Sequence, residues 1–89
     1  MRPLQKAIHI RFKEKIPFCA PYEMIHLLNE KCEEFFYQDK TDLELTFIDE
    51  YTTQRLFVDQ ESAEEWAKIM QDEADKNNVE ITEIKIFDI

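Results

Sequence analysis

Glycine is missing altogether from these 89 residues. Every motif that needs a residue without a Cβ goes with it: the phosphate-cradling P-loop, the dinucleotide fingerprint and the G-x-S-x-G nucleophile elbow. Tight primed hairpin turns, which need positive φ, are disfavoured for the same reason. Cysteine is scarce. Cys19 and Cys32 form neither a disulfide framework nor a C-x-x-C pair, so both read as free thiols, with Cys32 a small core residue. Positive charge is outweighed: eleven basic against twenty acidic side chains leave a formal charge of -9, which repels duplex DNA and anionic membrane. Long hydrophobic runs are absent too. None approaches the ~18 residues of a membrane span, and Arg2-Pro3-Leu4-Gln5-Lys6 lacks the apolar stretch of a signal peptide, so a cytoplasmic location is expected.

What is present fits a soluble globular chain, with 44% apolar, 35% charged and 12% aromatic residues. That length supports one hydrophobic core, so residues 1–89 are expected to form one domain. From Lys6 to Ile16 the residues alternate, Ile8, Ile10 and Phe12 against His9, Arg11 and Lys13, which predicts a first strand. Pro21 suits the first turn of a helix. From there Ile25, Leu28, Cys32 and Phe35 recur at steps of three and four, predicting a helix to about Gln38. Leu43, Leu45 and Phe47 restore period two, and Asp49-Glu50-Tyr51-Thr52 reads as a four-residue turn into a third strand over about Thr53 to Val58. Ser62-Ala63-Glu64-Glu65 has the form of a capping box, with Asp59 a competing N-cap. The stripe Ala63, Trp66, Ala67, Met70, Ala74 predicts a second helix ending at Asn77-Asn78, with Trp66 a core anchor. A last strand lies within Val79 to Ile89, with an irregularity near Thr82-Glu83.

The order βαββαβ predicts an α+β, ferredoxin-like fold: a four-stranded antiparallel sheet in the order 4-1-3-2, with two helices on one face. With the most apolar parity of each strand turned to the helices, the open face carries His9, Arg11, Lys13, Ile48, Arg55, Phe57, Lys85 and Phe87. Aromatics interleaved with bases on an uncovered sheet suit an interface. Single-stranded nucleic acid fits less well, because His9 stands where strand one of an RNA recognition motif has a stacking aromatic. The helices carry acidic faces, the second with Glu64, Glu65, Asp72, Glu73 and Asp75. Such density suits a solvated surface or a decoy that occupies the groove of a basic, nucleic-acid-binding protein.

Chemistry is thinly represented. His9 is the one candidate proton carrier on the open face. Cys19, His26 and Cys32 find no fourth ligand, and His26 and Cys32 stand about 240° apart around a helix, so no metal is expected. No residue set calls for a cofactor.

Phe57 through Ala67, a strand running into an acidic capped helix with Ala63 and Trp66 three residues apart, resembles antibiotic-biosynthesis-monooxygenase-like domains of the dimeric α+β barrel superfamily. The resemblance implies two sheets paired face to face. It also allows a cofactor-independent monooxygenase, although the haem-degrading set of His, Asn and Trp finds no matching spacing here. The expected function is therefore an acidic interaction domain that homodimerises through its open sheet face, the alternatives being the acidic decoy and the monooxygenase-like enzyme.

Overall fold

A computed structural model describes residues 2–17 and 19–89. The alternating start of the chain is β1 (Lys6–Phe12), with Ile8, Ile10 and Phe12 all buried. Pro21 lies in the first turn of α1 (Ala20–Leu27), which is followed by α2 (Asn29–Tyr37). The expected single helix is thus interrupted at Leu28, whose φ of -86° and ψ of 2° leave the helical region. Its N–H donates to both Met24 and Ile25 carbonyls, and its own carbonyl accepts from Cys32, so the apolar stripe continues across the break. Then come β2 (Thr46–Phe47), β3 (Thr52–Phe57), α3 (Gln60–Lys76) and β4 (Ile81–Asp88).

Without glycine, the two long helical runs end on other residues. Asp39 and Asn78 take positive φ, 63° and 55°. At each end the next N–H reaches back, Lys40 to the Phe35 carbonyl at 3.0 Å and Val79 to the Ala74 carbonyl at 2.9 Å. These bonds satisfy carbonyls that the helix leaves open. At the start of α3, Asp59 rather than Ser62 is the cap: its Oδ1 accepts from the Ser62 N–H at 2.8 Å, and Ser62 is itself buried.

The strands form one antiparallel sheet in the order β2-β3-β1-β4, which is 4-1-3-2 counted from the opposite edge. The turn into β3 is closed by the Thr52 N–H on the Asp49 carbonyl, with Asp49 Oδ1 accepting from Tyr51 N–H at 2.7 Å. The irregularity expected near Thr82 is a register shift: Arg11 pairs with Glu83 but Phe12 with Ile81. The extra residue lets Ile81, Ile84 and Ile86 all pack against the core. A second strand of only two residues is shorter than the alternation predicts, although Leu45 still packs on the core.

Helices and sheet share one apolar cluster centred on Trp66, whose ring lies 5.5 Å from Phe35 and 6.1 Å from Phe57 between centroids. This cluster corrects the expected parity of β3. Phe57 is 0% exposed and faces the helices, and Arg55 goes with it at 5% exposed. The most apolar parity would have turned Leu56 and Val58 inward. Burying the larger Phe57 ring between Phe35 and Trp66 removes more apolar surface from water and adds edge-to-face packing. Val58 is buried as well, just past the strand end, where its N–H donates to the Lys40 carbonyl. No helix of the described residues is long and apolar enough to cross a membrane.

Candidate interaction surfaces

The register sets the open side of the sheet in three rows across β3, β1 and β4: Leu56, Ala7 and Phe87; Gln54, His9 and Lys85; Thr52, Arg11 and Glu83. The first row is apolar. Ala7 is buried between its neighbours, and Phe87 is 40% exposed with its ring edge-on to His9 at 4.7 Å. In the middle row the His9 Nε2–H donates to Gln54 Oε1 at 2.7 Å, which fixes the ring across the strands. The third row carries charge at Arg11 and Glu83, and Arg11 lies 3.5 Å from Asp49 and 5.1 Å above the Tyr51 ring. Backbone bonding from the Tyr51 N–H holds the Asp49 carboxyl below its ordinary pKa.

Of the residues expected on this side, His9, Arg11, Lys85 and Phe87 are there. Ile48 joins them at the edge, since its N–H bonds the Thr52 carbonyl and so continues the parity of Thr46 and Gln54. Lys13 lies beyond the end of β1 and pairs with Glu80 at 3.7 Å. Arg55 and Phe57 are on the other side, for the packing reason given above. Leu56 and Gln54 take their places, and the sequence signal for them was the adjacency of Phe57 and Val58, which allows either parity. The surface is also less cationic than expected, because Arg11, Lys13 and Lys85 each stand beside an acid, the last 3.9 Å from Glu83.

Arg55 has a different setting. Its Nη1–H donates to Cys32 Sγ at 3.1 Å, and its guanidinium lies 5.2 Å from the Trp66 ring centre. Burial lowers the arginine pKa and raises that of the Cys32 thiol. A neutral thiol and an indole face therefore flank the cation. A cleft of about 230 Å³ lined by Asn29, Glu33 and Leu43 opens beside the pair.

The acidic face of α3 is as expected in outline: Glu64, Glu65, Asp72 and Asp75 are exposed and Glu73 is half-buried. Several of these acids are engaged, Glu65 by Lys40 at 3.1 Å, Glu64 by Gln60 and Asp75 by Gln71. His26 is exposed and stacks on Tyr22, away from the buried Cys32. Among the described residues no group of three His, Cys, Asp or Glu side chains is placed to hold a metal ion.

The class these features define is an α+β domain with a four-stranded antiparallel sheet, helices on one side and a mixed apolar and polar face on the other. No family model, no curated protein and no solved structure matches the chain.

Proposed function

We propose that the chain is a small interaction domain that homodimerises through the open side of its sheet. The observation that carries this reading is the row Leu56, Ala7, Phe87: an aromatic ring 40% exposed on a flat β surface. Gln5 and Ile89 bond in the plane of the sheet. Gln5 N–H bonds the Phe57 carbonyl, Ile89 N–H bonds the Gln5 carbonyl, and Arg2 turns to Asp59 at the side. The ferredoxin-like arrangement of βαββαβ and the resemblance to dimeric α+β barrels support the same reading, since those proteins pair their sheets.

The size of the face sets the strength. Three strands about 4.8 Å apart and six residues long at about 3.3 Å each project roughly 300 Å². A stable pair buries roughly 800 Å² per partner, well above this, so a weak, micromolar dimer is expected. Light scattering over a range of concentrations should show the mass doubling. Phe87→Glu should return it to a monomer with little change in the melting temperature, because the side chain is half-exposed. A monomer at several hundred micromolar, or a dimer indifferent to Phe87→Glu, would overturn the reading.

A further inference from the structure

The outer edge of β2 combines two features that bear on a second partner. In an antiparallel pair alternate residues exchange both backbone bonds. Ile48 N–H bonds the Thr52 carbonyl and Thr46 is opposite Gln54, so Leu45 and Phe47 direct their N–H and C=O groups away from β3. An edge of this kind is a template for another strand. Beside it lies an apolar cleft of about 240 Å³ lined by Ile16, Pro17, Tyr22 and Phe47, where the Ile16 N–H on the Glu50 carbonyl ties the approach to α1 against the hairpin. Tyr22 and Phe47 are each about half-exposed there.

Charge selects the occupant. Asp42 and Glu44 precede the strand, and Glu23 stands next to Tyr22 on α1. On the far side Asp49 and Glu50 are already met by Arg11 and Lys15. A second copy laid along this edge would bring like charges together, each copy at -9, whereas a cationic strand would complement them. We propose that the β2 edge docks a basic, extended segment of another protein, which adds to the sheet beside Phe47 and seats an apolar side chain in the adjoining cleft. This surface is separate from the sheet face that forms the proposed dimer.

The test is fluorescence anisotropy with a labelled octapeptide, Lys-Thr-Lys-Ile-Lys-Val-Lys-Thr, titrated with the full chain. Binding should weaken at least tenfold when alternate peptide nitrogens are N-methylated, a change that leaves the protein untouched. It should weaken comparably in Phe47→Ser, whose fold is checked by circular dichroism, and in Glu44→Lys. Repeating the titration in the Phe87→Glu background separates edge binding from sheet-face pairing. The proposal fails if the peptide does not bind, or if binding ignores N-methylation and Phe47→Ser, which would mean charge attraction alone. It also fails if Phe47→Ser changes the mass of the chain by itself, which would make a second copy the occupant.

Discussion

Among the described residues Arg55 makes one side-chain hydrogen bond, and its acceptor is a sulfur. Burying a cation without a close carboxylate is unfavourable, and burial already pulls its pKa down, offset by the more distant Asp42. What the residue gains is packing of its stem and plane on Trp66. Arg55→Met keeps most of that volume and removes the desolvation cost, so its thermal midpoint should equal or exceed that of the wild type. Arg55→Ala should lose about 2–4 kcal/mol, because it opens a cavity against Trp66. Calorimetry on the pair separates shape from charge. A large loss in the methionine variant would show that the guanidinium itself holds β3 to α2. Sequence reading could not foresee this position, since an arginine on an alternating strand is ordinarily the mark of the solvated face.

At the scale of elements, the Asp59 cap ties the end of β3 to the long helix that carries Trp66. Its carboxylate accepts the Ser62 N–H, and that bond lowers its pKa below the ordinary value, with Arg2 and Lys40 adding to the effect. A carboxyl whose folded pKa is depressed stabilises the fold above its unfolded pKa and loses that contribution as pH falls through the folded value. Asp59→Ala should therefore cost about 1 kcal/mol at neutral pH. The difference between variant and wild type in urea titrations should shrink as the pH is taken below the carboxylate range; a gap unchanged down to that pH would remove the cap from the account. Elements with strong periodicity were legible in the sequence: β1 from Ile8, Ile10 and Phe12, α3 from its stripe, the bulge from the parity change between Ile81 and Ile84. What was not legible had competing signals. Leu28 sits on the apolar stripe, so nothing in the pattern marks the break between α1 and α2. Phe57-Val58 offers two apolar neighbours, and only the tertiary choice of Trp66 as neighbour decided which turned inward. That one choice moved Arg55 and Phe57 off the open face and put Gln54 and Leu56 on it.

For the whole molecule, the charge of -9 acts on its two proposed contacts with opposite sign. Two copies meeting through the sheet repel at long range, although the face itself is nearly balanced by Arg11 with Asp49 and Lys85 with Glu83. A cationic strand at the β2 edge is attracted by the same field. Raising ionic strength from about 0.02 M to about 0.5 M shortens the Debye length from roughly 20 Å to roughly 4 Å. The dimer should then tighten, since screening removes repulsion while apolar burial at Phe87 persists, and the lysine-rich peptide should release. Sedimentation and anisotropy measured in the same salt series check both directions. Dimerisation that weakens with salt would mean that the sheet contact is held by ion pairs rather than by Leu56, Ala7 and Phe87. Peptide binding that withstands 0.5 M salt would place the energy of the edge contact in backbone pairing and the Phe47 cleft, with the surrounding acids contributing little.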